Sequence, residues 1–269
     1  MKILITGAGG FIGQYLSRYL SADHEIHALT RQQLDLVDHV KLGQCLDAKF
    51  DAVIHCASEG RNSARSRDTK IFYNNLTSWQ NLVSYKDRYG LLINLATGAE
   101  FDLDSNIDQA KESYIWTGHT DYSYGQSKNL IARMCQLIPN FYNLRLFGCF
   151  DSTESETRPI KKCKQLISQS LPFAIAGDRY FDMVSLSDLA MVVSAVLDGQ
   201  IHDKDLNVVY NEKHKLSEIL KIYSRLHSLD PYLVQIDSTD SKNYTGDSKI
   251  LDSYQLPLLG LEQSLANYL

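Results

Sequence analysis

The sequence predicts an α/β fold in which a parallel sheet carries helices on both faces. Short apolar segments rich in branched side chains alternate with helical patterns through the first 150 of the 269 residues. This alternation is typical of parallel sheets, whose strands are buried on both faces. The first apolar segment, 2–5, also leads through closely spaced glycines directly into a helical pattern. A strand, a glycine turn and a helix in this order predict a Rossmann-type doubly wound parallel sheet.

The other elements of this sheet follow from the same patterns. Helices are expected where apolar residues recur at helical spacing, and strands where short apolar runs end in polar or glycine residues. The predicted helices cover 14–20, 37–46, 70–86 and 130–138. The predicted strands cover 2–5, 25–29, 51–57, 91–95 and 142–147.

The glycine turn has the spacing G-x-x-G-x-x-G and predicts a dinucleotide site. Its first glycine permits a tight turn, its second lets the backbone approach a diphosphate, and its third lets the helix pack on the strand. The diphosphate would bind the free N–H groups at the start of the helix. A phosphate-loop NTPase is excluded at this turn, because no Gly-Lys-Ser/Thr follows. The candidate cofactor residues here are Gly7, Gly10, Phe11, Ile12 and Gly13.

The end of the second strand bears on the choice of cofactor. A carboxylate there would bind the ribose 2′-OH of NAD, whereas a basic residue accommodates the 2′-phosphate of NADP. The chain has Arg31 at this point and no acid before Asp35, which with Leu36 would lie near the adenine. Arg31 could also be an ordinary solvated arginine. We therefore expect NADP(H) as the preferred cofactor, with NAD(H) possible, and we expect Ala57 and Ser58 to contact it at the end of strand three.

A second motif, Y-x-x-x-K, places Tyr124 and Lys128 four residues apart. On a helix the two side chains share one face, and the ammonium group would favour the phenolate form of the tyrosine. Taken alone the motif is common. It gains meaning downstream of a glycine turn and of Thr97, which follows the fourth strand.

With these motifs the chain resembles the extended short-chain dehydrogenases/reductases, and more narrowly the sugar-nucleotide epimerase/dehydratase family. The resemblance adds Asn75 to the cofactor contacts and continues in residues 179–190, while residues 29–38 resemble the NADPH-dependent GDP-fucose synthases. It implies that Tyr124 protonates a sugar alkoxide, that Thr97 hydrogen-bonds the same oxygen, and that Lys128 holds the nicotinamide ribose. By the same resemblance the nearest activities are 4-ketoreductases, such as GDP-fucose synthase or dTDP-4-dehydrorhamnose reductase.

Differences from the family pattern after Thr97 indicate which reaction of the family is expected first. Family dehydratases carry Asp-Glu after the catalytic threonine, and GDP-fucose synthases carry a cysteine two residues beyond the catalytic serine. Here Gly98 and Ala99 stand in those places. The expected function is therefore NADP(H)-dependent reduction of a 4-keto nucleotide sugar to a deoxyhexose nucleotide, ahead of an NAD-dependent 4-epimerase and then a dehydratase. A non-catalytic dinucleotide sensor is the alternative from another class, although sensors of this fold commonly lose the tyrosine. His119 and Cys149 are weaker candidates for a further base.

Residues beyond 150 are expected to form the substrate lobe. Helices are predicted at 160–170, 187–197 and 216–226, and strands at 173–175 and 205–209. By resemblance, 1–150 is the dinucleotide-binding lobe and 151–269 a small C-terminal α/β lobe, interleaved with the first, that binds the nucleotide sugar. Arg158 and Arg179 could hold its diphosphate, because arginine pairs with phosphate bidentately. Lys161 and Lys162 fit a solvated helix face equally well. The polar stretch 59–68, which includes Arg61, is a loop or an edge of the site.

The composition of the chain limits the classes of partner that we expect for it. A net charge of −5 gives no general attraction to nucleic acid or to an anionic membrane. Five widely spaced cysteines without a C-x-x-C pair predict reduced thiols in a cytoplasmic protein, and neither a disulfide framework nor a metal site. The opening apolar run is too short for a signal peptide or a membrane span. By resemblance, a homodimer through the helices at 70–86 and 122–137 is possible.

Overall fold

The computed structural model describes residues 1–60, 65–237 and 241–269 and contains a parallel central sheet of six strands. The strands lie in the order β10-β6-β4-β3-β1-β2, and every pairing between neighbours is parallel. This confirms the predicted fold class. The strands of the central sheet are β1 (Lys2–Thr6), β2 (Glu25–Leu29), β3 (Phe50–His55), β4 (Tyr89–Thr97), β6 (Phe141–Leu146) and β10 (Asp205–Asn207).

Helices cover both faces of the sheet, and the residues of β1 show why its sequence is apolar throughout. Successive side chains of a strand point to opposite faces. Ile3 and Ile5 belong to the core on one face and Leu4 to the core on the other, and all three are fully buried. The helices of the structure are α1 (Phe11–Leu20), α2 (His39–Leu46), α3 (Thr69–Ser84), α4 (Ser123–Leu137), α5 (Pro159–Ile167), α6 (Leu186–Leu197), α7 (Leu216–Leu226), α8 (Lys249–Ser253) and α9 (Gly260–Ala266).

The two cores join distant parts of the chain. Residues of α1 and α6 pack on the face of Ile3 and Ile5, whereas residues of α2, α3 and α4 pack on the face of Leu4. Helix α6 lies beyond residue 150, so the later part of the chain supplies about half of one helical layer. Strand β10 also comes from this part, and it extends the sheet beyond the five strands predicted from the sequence.

The remaining strands form three small parallel pairs. One pair, β5 with β12, anchors the C-terminal part of the chain beside the carboxyl end of β4. Helices α5, α7 and α9 surround a separate core with β8 and β11. The strands of these pairs are β5 (Ile107–Ala110), β7 (Cys149–Phe150), β8 (Phe173–Ile175), β9 (Val184–Ser185), β11 (Val234–Ile236) and β12 (Tyr244–Gly246).

Helix α4 begins earlier than the apolar pattern predicts, at Ser123 instead of residue 130, and this places both Tyr124 and Lys128 within one helix. Gly125 explains why helix α4 can begin so close to the turn after β4. A Cβ atom at Gly125 would lie 2.4 Å from the carbonyl oxygen of Ala99, so only glycine lets the helix approach this turn. Within the described part of the chain, none of the helices has the length and apolar character needed to cross a membrane.

Candidate functional site

The glycine turn joins the carboxyl ends of β1 and β3 too closely for any side chain. Gly7 has a φ of +67°, and a Cβ atom there would lie 2.7 Å from the backbone of Ala57. A Cβ atom at Gly13 would lie 2.4 Å from the carbonyl oxygen of Gly7, where helix α1 crosses the turn. No side chain caps the first N–H groups of this helix. The turn therefore presents bare backbone and a helix N-terminus, which suits a phosphate group.

A cleft opens beside this turn, and we call it the Gly7 cleft. It lies at the carboxyl ends of the parallel strands, where ligands bind in doubly wound sheets. Seven of the cofactor residues predicted outside the turn line it, and so do Gly7 and Gly10. The seven are Arg31, Asp35, Leu36, Ala57, Ser58, Asn75 and Lys128.

The surroundings of Arg31 differ from what its position in the sequence suggests. Its guanidinium group forms ion pairs with Glu59 and, at 3.6 Å, with Asp35. Glu59 also accepts a hydrogen bond of 2.8 Å from Asn74. In the sequence, no acid lies between the end of the second strand and Asp35. The fold, however, brings Glu59 from the loop after β3 to the same point. The basic end of strand two is thus balanced by two carboxylates.

Asn75 is buried and fixes the loop that carries Glu59. Its side-chain oxygen accepts from the backbone N–H of Glu59 at 2.8 Å, and its amide donates to Ser127 on α4 at 3.0 Å. The loop beyond β3 is thereby tied to both α3 and α4. Residues 61–64, which include Arg61, lie outside the described residues, and Arg65 pairs with Asp104 and does not line the Gly7 cleft.

A second cleft, the Thr97 cleft, continues from the first, and Gly10, Cys56 and Ser58 line both. Thr97 and Tyr124 both line it, and so do Phe11, Ile12 and Gly13 of the glycine turn. Its lining also includes Ala99, Leu103, Phe147, Gly148, Cys149, Arg158, Phe181 and Tyr244.

The three candidate catalytic residues divide between the clefts, since Lys128 lines the Gly7 cleft whereas Thr97 and Tyr124 line the Thr97 cleft. The Nζ atom of Lys128 is buried and donates to the carbonyl oxygen of Leu95 at 3.1 Å, and burial lowers the pKa of this lysine. The Oγ1 atom of Thr97 accepts from the N–H of Ala99 at 3.2 Å. The backbone N–H of Thr97 donates to the buried carboxylate of Glu100 at 3.3 Å. The threonine is therefore held at both its backbone and its side chain.

Behind this turn lies a buried ionic network that the sequence patterns did not reveal. Arg145 is fully buried and donates to Glu100 at 2.8 Å and to both carboxylate oxygens of Asp205 at 2.9 and 3.0 Å. It also donates to Asn207 at 3.0 Å. Because Glu100 holds the backbone of Thr97, the network connects strand β10 to the candidate site.

His55 and Cys56 follow the packing interpretation given by the sequence for residues inside a buried strand, although both also border the Gly7 cleft. His55 is hydrogen-bonded to the hydroxyl of Thr6 at 2.9 Å. Burial, followed by the nearby charge of Lys128, lowers the pKa of His55 to about 3. His119 is exposed, pairs with Asp121 and lies away from the Thr97 cleft, whereas Cys149 is buried and lines it.

The candidate substrate residues are placed differently from one another. Arg158 borders the Thr97 cleft, but its guanidinium group already pairs with Glu154 at 3.0 Å and with the carbonyl oxygen of Cys149. Arg179 stands 5.2 Å from the ring centroid of Phe181 and makes no ion pair within the part of the chain described here. Burial lowers its pKa. Arg179 lines neither cleft itself, but it lies against Phe181, which lines the Thr97 cleft, so an anionic ligand there could engage it without displacing a carboxylate.

Lys161 and Lys162, the two lysines considered beyond residue 150, contact other parts of the protein. The ammonium group of Lys161 donates to the carbonyl oxygen of Ser152 at 2.6 Å, and that of Lys162 lies 6.0 Å from the ring centroid of Phe173. Neither lines the two clefts. Across residues 1–60, 65–237 and 241–269, moreover, His, Cys, Asp and Glu side chains form no group suited to a metal ion.

Comparison with known proteins agrees with this geometry. Residues 3–208 match the model of the NAD dependent epimerase/dehydratase family. A GDP-mannose 3,5-epimerase 1 from Oryza sativa subsp. indica is 24% identical over 213 residues, which cover 66% of this chain and 56% of that protein. The match therefore spans little more than half the length of this relative.

Solved structures share the fold over the whole chain. A dTDP-4-dehydrorhamnose reductase from Clostridium acetobutylicum has a TM-score of 0.84 at 19% identity, covering 100% of this chain and 98% of that one. A UDP-glucose 4-epimerase from Thermus thermophilus, in complex with NAD, has a TM-score of 0.80 at 17% identity, covering 100% and 97%. At these identities the likeness shows a common fold.

Proposed function

The chain belongs to the NAD dependent epimerase/dehydratase family, and from this premise we propose that it is an NAD(P)-dependent oxidoreductase that reduces a 4-keto nucleotide sugar. One observation carries the proposal. The glycine-turn cleft and the cleft holding Thr97 and Tyr124 share lining residues, and helix α4 carries Lys128, which lines the first cleft, one turn after Tyr124, which lines the second. A dinucleotide in the first cleft would thus end beside a proton donor in the second. A non-catalytic sensor has no need of this junction.

The residues present fit a nicotinamide dinucleotide. The space at Gly7 and Gly13 would be filled by any Cβ atom, and the uncapped start of α1 suits a diphosphate. We assign the diphosphate to residues 7–13, and the adenosine to the part of the Gly7 cleft beside Asp35 and Leu36. When bound, the reduced cofactor supplies a hydride to the substrate carbonyl.

The side chains of the chain itself handle the proton. Tyr124 donates its phenolic proton to the oxygen that gains charge as the carbonyl is reduced, and Thr97 donates a hydrogen bond to the same oxygen. The buried ammonium group of Lys128 holds positive charge one helical turn from Tyr124, where it favours the resulting phenolate. These contacts become stronger as negative charge develops, which is when they accelerate the reaction.

Reduction is favoured over elimination by the residues that follow Thr97. Gly98 and Ala99 line this turn without an acid or a base, and a Cβ atom at Gly98 would collide with the ring of Phe147 at 2.5 Å. The packing thus leaves no room for the acidic side chain that elimination needs at this position. A 4-epimerase needs no such group either, and it is the second candidate because a 4-epimerase shares the fold over nearly its whole length.

For the cofactor we propose NADP(H), on the grounds that Arg31 lines the Gly7 cleft and is mostly exposed. A 2′-phosphate would take over the guanidinium group from Glu59 or Asp35. NAD(H) remains the second candidate for a specific reason: the same carboxylates could accept the ribose 2′-OH.

For the substrate we propose that residues 151–269 supply the nucleotide-sugar lobe and that Arg179 engages the diphosphate, with Arg158 in a supporting place. Arg179 is partly buried without a carboxylate partner in the described residues, whereas Arg158 would first have to leave Glu154. This makes Arg179 the stronger of the two predicted contacts.

The experiment follows absorbance of the reduced nicotinamide while a panel of CDP-, dTDP-, GDP- and UDP-linked 4-keto sugars is supplied. We expect net oxidation of NADPH with at least one of them. The Tyr124→Phe variant should bind NADPH as wild type does and lose about 10²-fold or more in kcat. A 4-epimerase would instead interconvert two nucleotide sugars without net oxidation. A sensor would bind NADPH and consume it with none of them.

A further inference from the structure

Glu100 is a fully buried acid that the proposed reaction does not use, although it stands only three residues after Thr97. It ends a single turn of 3₁₀ helix, Gly98–Glu100, which follows β4, and Thr97 is the N-cap of this turn. Burial raises the pKa of Glu100 to about 6, while the charge of Arg145 acts in the opposite direction. The group is therefore ionised at neutral pH, and both of its carboxylate oxygens can accept hydrogen bonds.

The two oxygens of this carboxylate have different partners. Oε1 accepts from the backbone N–H of Thr97 at 3.3 Å, and Oε2 accepts from Nε of Arg145 at 2.8 Å. Arg145 is itself held by both carboxylate oxygens of Asp205 on β10, at 2.9 and 3.0 Å. The side chain of Glu100 is thus anchored to the central sheet at one oxygen and presents the other to Thr97.

Thr97 is bonded back to the same turn by its own side chain. Its Oγ1 atom accepts from the N–H of Ala99 at 3.2 Å, while its N–H donates to Glu100, and together the two bonds form a capping box. One bond fixes the backbone of Thr97 and the other fixes its side-chain rotamer. The capping box therefore determines where the hydroxyl group of Thr97 lies.

The same turn is also bonded to helix α4, which carries Tyr124 and Lys128. The carbonyl oxygen of Glu100 accepts from Nδ2 of Asn129, the residue after Lys128, at 2.9 Å. Glu100 is thus bonded to Thr97 through its side chain and to α4 through its main chain. A single residue connects the two elements that supply the candidate donors to the substrate oxygen.

We propose that Glu100 is a positioning residue, which fixes the hydroxyl group of Thr97 relative to the phenol of Tyr124 on α4. The inference rests on the proposed function, because it requires that both groups act on one substrate oxygen. Glu100 acts through Thr97 and transfers no proton itself. It lowers the barrier by holding the two donors in the geometry that reduction needs, and a displacement of about 1 Å in such a geometry can cost about 10²-fold in rate.

Two variants break the bond to Thr97 with little change in the volume of the side chain. In Glu100→Gln the one remaining carbonyl oxygen should pair with the charged Arg145, which leaves an amide N–H₂ group facing the N–H of Thr97. In Glu100→Asp the carboxylate keeps its charge but is one methylene group too short to reach both partners. Both variants should bind NADPH as wild type does.

Single-turnover kinetics separate positioning from a loss of folded protein. Enzyme with bound NADPH is mixed with a saturating amount of the keto sugar that wild type reduces, and nicotinamide absorbance is followed by stopped flow. The amplitude counts the active molecules, whereas the rate constant reports the reaction within them. We expect Glu100→Gln and Glu100→Asp each to lower the rate constant by about 10- to 100-fold.

The matched control is Glu112→Gln. Glu112 is another buried glutamate, and its carboxylate accepts from the backbone N–H of Asn207 on β10 at 2.9 Å. The control therefore changes the same kind of bond, a buried carboxylate on a backbone N–H, at a different place in the fold. Its rate constant should equal that of wild type.

The outcomes separate the positioning role from the proposed function. Unchanged rate constants in both Glu100 variants would overturn the role of Glu100, and a lower amplitude alongside them would assign this residue to stability alone. An equal loss of rate in Glu112→Gln would overturn it as well. If wild type binds NADPH but oxidises it with no keto sugar, the proposed function is wrong and the positioning role is overturned with it.

Discussion

Replacing Arg31 by alanine tests the cofactor assignment, and the structure sets the expected size of the effect. A hydrogen bond to a charged group contributes about 1.5–3 kcal/mol. The Arg31 side chain is 63% exposed, so the lower end of that range applies. Releasing Arg31 from Glu59 costs about 0.5 kcal/mol, as for other exposed pairs. The expected loss is therefore about 1 kcal/mol, or roughly a fivefold weaker binding of NADPH.

The assay is fluorescence titration of NADPH and NADH onto wild type and the variants. Arg31→Ala should weaken NADPH and leave NADH nearly unchanged. Glu59→Gln should act in the opposite direction and tighten NADPH about two- to fivefold, because it removes a carboxylate that competes with the phosphate. The control is Arg88→Ala, which breaks a similar exposed pair with Asp47 that lies outside the Gly7 cleft. This variant should bind NADPH and NADH with the affinity of wild type.

Two results would refute the reasoning. Equal weakening of both cofactors by Arg31→Ala would show that its guanidinium group does not touch a 2′-phosphate. Weaker NADH binding by Glu59→Gln, with NADPH unaffected, would instead identify Glu59 as the acceptor of a ribose 2′-OH and the protein as an NAD enzyme.

Two further predictions concern stability. Arg145→Met should lower the free energy of urea unfolding by about 3–5 kcal/mol, because it leaves two buried carboxylates unpaired. The control Arg88→Met should lower it by less than about 1 kcal/mol. A similar cost for both variants would contradict the stabilising role of the buried Arg145 network. Because burial lowers the pKa of His55 to about 3, the unfolded chain binds more protons between about pH 3 and 6.5, so stability should fall as the pH drops. From pH 7 to 5 this amounts to about 2 kcal/mol, which His55→Gln should remove and the exposed His202→Gln should not.

The sequence by itself determined the parts of the protein that depend on neighbouring residues. The glycine turn, the boundaries 25–29, 173–175 and 216–226, and the helical spacing of Tyr124 and Lys128 all follow from local rules. Those rules work because a turn, a strand or a helix face is encoded within a few residues. The predicted fold class and family are confirmed for the same reason, since the motifs that carry them are local.

Tertiary structure decided which side chains meet across the sheet. Glu59 reaches Arg31 because β3 and β2 flank β1, and Arg145 finds Asp205 because β10 joins the sheet beside β6. Tyr244 reaches the Thr97 cleft through a three-residue strand, which is too short to leave a periodic pattern in the sequence. These contacts join residues far apart along the chain. Their partners are fixed by the order of strands in space, which no local pattern specifies.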